Sequence, residues 1–220
     1  MTICHINQVG DNMPTQTFFH LSKEKQTTLL KAAMKEFTHQ SFANASINQI
    51  IKEASIPRGS FYMYFQDKED LYFYLLEQSR DRFQKQLLIL IEEEHGDLFC
   101  TFERFFESII DYCSKKNHRL FFKQVFTNIN SQAEKRLFPT KTNVFDPRSF
   151  YKHFLEQIDV SKLNIQQEDD LEEIVGLLFG MTLHTLILSF TSDKKKEEIM
   201  NSYHRKLILL KYGMEKYRKE

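Results

Sequence analysis

The stretch SINQIIKEASIPRGSFYMYFQDK, residues Ser46 to Lys68, reads as two short helices joined by a tight turn. In the first helix, Ile47, Ile50, Ile51 and Ala54 recur at i, i+3, i+4 and i+7 and form one apolar stripe. Ser46 stands at its N-cap, with Gln49 at capping-box spacing. Pro57 restricts Ile56 to an extended conformation, so this helix stops near Ser55. Pro57 also suits the first turn of a second helix, where its missing N–H is not needed. That helix runs to Phe65, with Phe61 and Phe65 one turn apart on the inner face. Arg58, Ser60, Tyr62 and Met63 lie on the other face. So short a helix is marginal alone, so a buried anchor is expected to hold it.

Two short helices, a turn and a donor-rich outer face are the parts of a helix-turn-helix. The run to Leu71 resembles the signature of the TetR family of bacterial transcriptional regulators. The matching positions are Ser46, Ile50, Ala54, Ile56, Arg58, Gly59, Ser60, Phe61, Tyr62, Tyr64, Phe65, Lys68, Glu69 and Leu71. The family usually has Gly in the turn, where this chain has Ser55. Gly reaches φ > 0 at no steric cost and Ser does not, so a different or strained turn is expected. The resemblance implies a homodimeric repressor that binds a near-palindromic double-stranded DNA operator and releases it when a small molecule binds. It also implies that Ser46, Ser60, Tyr64 and Lys68 hold phosphates and that Asn48 reaches a base edge. Arg58 is the expected base reader, because a guanidinium can bond two guanine acceptors at once. Tyr62 is expected to add a base contact and Gly59 a close backbone approach, with Pro57 and Met63 completing the DNA-facing set. An interaction protein or activator of the same fold, binding a protein in place of a small molecule, is the alternative reading.

Bulk properties fit a soluble helical protein. The 220 residues carry 30 basic and 30 acidic side chains, a net charge of zero, with 21 Phe, no Trp, 6 Gly and 4 Pro. Zero net charge counts against a uniformly basic nucleic-acid binder, although a local patch matters more than the total. Between Ser22 and Lys68 seven basic residues face four acidic ones. Cys4, Cys100 and Cys113 form no CxxC pair, as in a reducing compartment. No secretory signal is apparent. The apolar run Ile174 to Phe190 is at the short limit for a bilayer span and carries Thr182, His184 and Thr185. It is read as a buried helix of a cytoplasmic protein with no membrane partner.

Taken in order, Met1 to Leu21 shows no periodicity and is expected to be a mobile arm, with Met13 a second possible start of translation. A DNA-binding domain over 22–66 opens with a helix from Ser22 to about His39, with Leu30, Ala33, Met34 and Phe37 inward. The effector-binding and dimerisation domain, 67–220, opens with a long helix from Asp67 to about Glu94. Such a helix, free of Gly and Pro, is expected to join the two domains rigidly. Helices to about Ser114 and around Leu120 to Phe126 follow. Ser131 to Pro147 is less regular, and Asp146 is expected to cap a helix from Pro147 to about Ile158. The last two helices span Glu168 to Phe190 and, capped by Asp193, Asp193 to Tyr217. The fold class is all-α, about nine helices in two domains.

No phosphate-binding glycine loop, HExxH or GxSxG is present, and the histidines show no ligand spacing, so no catalytic residue, metal or cofactor is expected. An α-helical enzyme would need a catalytic group that the sequence does not offer. The Phe-rich middle reads first as core. In a TetR-like chain these helices enclose an effector pocket, and Phe105, Tyr112, Phe122, Phe126, Tyr151, Phe154 and Phe179 are its candidates for an apolar or aromatic ligand. Glu103, Glu107 and Asp111 read as a solvated acidic face. The helix from Glu168 is too apolar all round to face water. Leu171, Ile174, Val175, Leu178 and Met181, with Leu207 and Leu210 of the last helix, are the expected dimer surface. Gly176 and Gly180, four apart, point to close helix packing.

Overall fold

The computed structural model describes residues 14–127 and 147–213. Among them are ten α-helices and one 3-10 turn. These are α1 (Gln16–Phe19), α2 (Lys23–His39), α3 (Ile47–Glu53), α4 (Arg58–Tyr64), α5 (Lys68–Glu93), α6 (Leu98–Ser114), α7 (Lys116–Thr127), α8 (Pro147–Glu156), the 3-10 turn Val160–Lys162, α9 (Asp170–Thr191) and α10 (Lys196–Tyr212). The chain divides into two compact units, Met1–Leu76 and Glu77–Glu220. The division falls inside α5, beyond the 66/67 boundary expected from sequence. The reason is aromatic: Tyr72 lies 5.1 Å from Phe37 and 5.0 Å from Phe42, and Tyr74 lies 5.5 Å from Phe18 and 5.9 Å from Phe65. The start of α5 is therefore part of the first unit's core, where burial pushes the Tyr72 phenol up to about 12.

The helix added to the sequence reading is α1. Residues 14–21 are not a loose arm: Pro14 is buried and Phe18 is fully enclosed. Phe18 stands in a segment too short to show a period, so periodicity alone does not detect it. Ser22 caps α2 as expected, accepting from the Lys25 N–H. The inward stripe of α2 is Leu29, Ala32, Ala33 and Phe37, while Leu30 and Met34 are half-buried. Buried Gln26 donates from Nε2 to the carbonyl oxygens of Phe19 (3.2 Å) and Leu21 (3.0 Å).

The helix-turn-helix forms where expected, with Ile50, Ala54, Phe61 and Phe65 buried. Two local details differ. Pro57 is the N-cap of α4, not its first helical residue, and Phe65 is the C-cap. The Ser46 side chain makes no capping bond. Its backbone N–H instead donates to Glu36 Oε1 at 2.9 Å, so a carboxylate from α2 does what Gln49 would do in a capping box. In the turn, Ser55 adopts φ +53°. The chain keeps the left-handed turn conformation and accepts its cost.

The second unit is an aromatic core wrapped by α6, α7, α9 and α10. Asp97 caps α6 by accepting from the Cys100 N–H at 2.9 Å. Phe102, Phe105, Phe106, Ile109, Ile110 and Cys113 all point inward from α6, and Phe121, Phe122, Val125 and Phe126 from α7. Leu120 is exposed. Tyr203 of α10 stacks on Phe106, with centroids 3.9 Å apart, and is 1% exposed. Its hydroxyl meets Thr182 Oγ1 at 2.7 Å and the Phe102 carbonyl oxygen at 3.3 Å, so this buried phenol is satisfied. α10 starts at Lys196, and Asp193 does not cap it. The expected cap at Asp146, the segment from Ser131 and the last turns to Tyr217 lie outside the described residues.

Between α5 and α6 the chain turns through His95 (φ +50°) and Gly96 (φ +76°). The Gly96 carbonyl oxygen accepts from the Asp159 N–H at 3.0 Å. A Cβ on Gly96 would sit 2.6 Å from the Asp159 nitrogen and 2.8 Å from the Gln157 carbonyl oxygen.

Ser55 and Gly96, both at positive φ, predict substitutions of opposite sign. A non-glycine residue in the left-handed region costs about 1–2 kcal/mol, and glycine's extra unfolded-state entropy returns about 0.4–1 kcal/mol. Ser55→Gly is therefore expected to stabilise the protein by about 0.5–1 kcal/mol. Gly96→Ala combines the same strain with a backbone clash and is expected to cost at least about 2 kcal/mol. Urea unfolding of the two variants checks both, and equal midpoints would contradict the assignment.

Candidate nucleic-acid interface

One face of α4 is buried and the other is bare. Phe61 is fully enclosed, while Tyr62 is 45% and Met63 57% exposed. Arg58 and Gly59 are exposed and Ser60 is half-buried. Apart from its sequence neighbours and the backbone of α4 itself, no described residue lies within 4 Å of the position a Gly59 Cβ would take. A glycine inside a helix costs about 1 kcal/mol relative to alanine, and no packing within the chain requires this one.

Arg58 is held by its neighbours. Nη1 donates to Asn48 Oδ1 at 2.7 Å, and Nη2 reaches the Tyr62 hydroxyl at 3.4 Å. The guanidinium carbon lies 5.8 Å from the centre of the Tyr62 ring. The structure thus brings Asn48, Arg58 and Tyr62 together, joining the first turn of α3 to α4. Pro57 and Ser46 stand at the N-caps of α4 and α3.

Two expected phosphate contacts have a different setting. The Tyr64 ring is buried, 6.2 Å from Phe18, because it falls on the inner side of the last turn of α4. Lys68 is committed to the protein: Nζ donates to the carbonyl oxygens of Ala43 (2.7 Å) and Ala45 (3.1 Å) and lies 5.2 Å from the Phe42 ring centre. It ties the start of α5 to the loop before α3. An ammonium has three donors, so one remains for another acceptor.

Six of the seven candidate effector residues fall into two groups of ring contacts. Phe105, Phe154 and Phe179 gather around Phe102, with centroids 6.2, 6.4 and 5.1 Å away. Tyr151 donates to the Glu172 carbonyl oxygen at 3.5 Å. Tyr112, Phe122 and Phe126 form the other group, with Phe83, His118 and Phe190. Arg82 lies 4.7 Å from the Tyr112 ring centre. Burial raises the Tyr112 phenol, opposed by its bond with Ser79 and by the Arg82 charge. Phe83 lies outside the Phe-rich middle, and Phe102 lies within it but is not among the seven candidates. On the acidic face of α6, Glu103 pairs with His204 and Asp111 with Lys196. Among the described residues no three His, Cys, Asp or Glu side chains form a metal-binding group.

Three of the expected dimer contacts are corrected. Val175, Leu178 and Leu207 are buried in the subunit's own core at 0, 1 and 4% exposure, so a second copy cannot reach them. Leu171, Ile174, Met181 and Leu210 are half-buried. The accessible stripe of α9 is instead Gly176, Leu177, Gly180 and His184. α9 is apolar all round, so periodicity cannot say which side faces out. Its length and composition match a membrane span, and a third of that apolar window is buried. Apart from sequence neighbours and the backbone of α9 itself, no described residue lies within 4 Å of a Cβ built on Gly176 or Gly180. The close approach these glycines allow is therefore not used among the described residues.

The described residues are all-helical outside their turns and loops, with an N-terminal helix-turn-helix followed by a larger helical unit. The model of the bacterial regulatory proteins of the tetR family matches residues 29–75, and that of the tetracyclin repressor-like C-terminal domain matches residues 97–214. The chain belongs to the TetR family. It is 39% identical over 62 residues to the HTH-type transcriptional regulator YdgC of Bacillus subtilis, covering 28% of this chain and 32% of that one. It is 31% identical over 94 residues to the HTH-type transcriptional regulator HbdR of Aromatoleum, covering 43% and 39%. The matched stretch thus spans between about a third and two fifths of these curated relatives. The crystal structure of FadR from Bacillus subtilis in complex with stearoyl-CoA superposes with a TM-score of 0.62 at 16% identity, covering 86% of this chain and 99% of that one.

The setting of Lys68 predicts a stability effect in addition to any effect on binding. Lys68→Ala removes the donor to two backbone carbonyls and is expected to cost about 1–2 kcal/mol. Thermal and urea unfolding without DNA measure this, and wild-type stability would mean that the latch carries no weight.

Proposed function

We propose that this chain is a dimeric DNA-binding transcriptional repressor of the cytoplasm whose grip on its operator is loosened by a small apolar or amphipathic molecule. The observation that carries the reading is the bare face of α4. It sets Arg58, Gly59, Ser60 and Tyr62 outward on a helix whose opposite side is buried. A helix of this kind enters the major groove, and a two-fold dimer reads two half-sites. Arg58 bonds the acceptors of a guanine. Asn48 and Tyr62 orient it before contact. Gly59 lets the α4 backbone approach the DNA, and Ser46, Ser60 and the remaining donor of Lys68 meet phosphates.

The partner copy covers the exposed stripe of α9 around Leu177, together with Ile208 and Leu209 of α10, which are 61, 42 and 42% exposed. The aromatic groups around Phe102 and Phe122 receive the effector. The family relation and the stearoyl-CoA complex of FadR support an apolar ligand. Such a ligand acts by binding one of two conformations more tightly than the other.

Selection of duplexes from a random-sequence pool is expected to return a near-palindromic site. Arg58→Ala is expected to lose about 1–3 kcal/mol per half-site and to relax preference at one base position. Retained affinity and preference would show that α4 does not read DNA in this orientation.

Sedimentation at micromolar concentration is expected to give a dimer for the wild type and a monomer for Leu177→Glu. Titrating long-chain amphiphiles into the dimer–duplex complex is expected to release the DNA. A ligand that binds without changing the duplex affinity would break the link between the two halves of the proposal.

A further inference from the structure

The last carbonyls of α4 are closed by a residue 48 positions earlier in the chain. Thr15 Oγ1 donates to the Met63 carbonyl oxygen at 2.6 Å, and the Thr15 N–H donates to that of Tyr64 at 3.1 Å. These acceptors have no partner within their own helix. Phe18, on the next turn, is fully buried with its ring 5.1 Å from Phe65 and 5.5 Å from Tyr74. Gln26 of α2 fastens the far end of the segment through the carbonyls of Phe19 and Leu21. Residues 14–21 therefore form a strap tied at one end to α4 and at the other to α2. The strap lies outside the stretch that matches the tetR-family model, residues 29–75.

We propose that Thr15 is a positioning residue for DNA reading. The inference rests on the reading of α4 as the recognition helix. Burial of Phe61 decides which face of α4 points inward, but apolar contact is non-directional and leaves sliding and tilting of a seven-residue helix weakly opposed. Hydrogen bonds have preferred distances and angles. The N-cap, Pro57, supplies no side-chain bond. The two bonds from Thr15 are thus directional restraints at the end of α4 away from Arg58, and they set the helix axis along which Arg58 and Tyr62 are presented. A bidentate contact to a base edge needs that alignment, whereas attraction to the phosphate backbone does not.

The test uses the full chain as wild type, Thr15→Val and Thr15→Ser. The probes are the preferred duplex that the wild type recovers from a random pool and a scrambled duplex of equal length. Thr15→Val is expected to remain folded and to keep its affinity for the scrambled duplex. Its preference for the selected over the scrambled duplex is expected to fall about tenfold, the scale of one misread base pair. Thr15→Ser keeps both donors and is expected to keep the wild-type preference. Unchanged preference in Thr15→Val overturns the proposal, as does an equal loss on both duplexes, an unfolded Thr15→Val protein, or a Thr15→Ser protein that loses preference. A wild type that recovers no preferred duplex defeats the recognition-helix reading itself, and the positioning role with it.

Discussion

A helix of seven residues does not keep its shape in water, because nucleation costs more than so few backbone bonds return. The first unit is built around supplying what α4 lacks. Phe61 and Phe65 are each fully buried. Phe18 closes over Phe65 from α1, and Tyr74 does so from α5. All of this support comes from one side. The outer side is left to residues whose polar groups engage one another, as Arg58 does with Asn48 and Tyr62. Rigidity on one face and accessibility on the other are thus the same arrangement seen from two directions.

The second unit solves a different problem. Its core is dominated by phenylalanine, whose packing is strong but tolerant of rearrangement. Tyr203 and Thr182 place a hydrogen-bonded pair inside it, at 1 and 4% exposure. An unpaired hydroxyl there would cost about 1–3 kcal/mol, so α6, α9 and α10 must meet in one alignment for the pair to be satisfied. Burial raises the Tyr203 phenol above its ordinary value.

The helix-turn-helix was legible because its signals are local: the stripe on Ile50 and Ala54, the break at Pro57, and the pair Phe61 and Phe65. Nine of the ten helices among the described residues follow from periodicity and punctuation, although the side-chain caps expected at Ser46 and Asp193 do not form. α1 was missed because four residues carry no period and Phe18 gains meaning only from Phe65 and Tyr74, far along the chain. The same limit explains the outward side of α9 and the settings of Lys68 and Tyr64. In each case the chemistry of the side chain was evident and its partner was not. Ser55 shows the converse. The missing glycine announced strain, and the backbone carries it at φ +53°.

α5 has no seam between the two units. It starts with Lys68, whose ammonium holds the loop before α3, and continues through Tyr72 and Tyr74, which belong to the first unit's core. Exchange of DNA-reading heads between relatives, by recombination or in the laboratory, cannot use the turn at residues 66 and 67 as a joint without discarding those anchors. A joint placed beyond Leu76 retains them but lies in continuous helix. One residue inserted there turns the helix that follows by about 100° and advances it by about 1.5 Å.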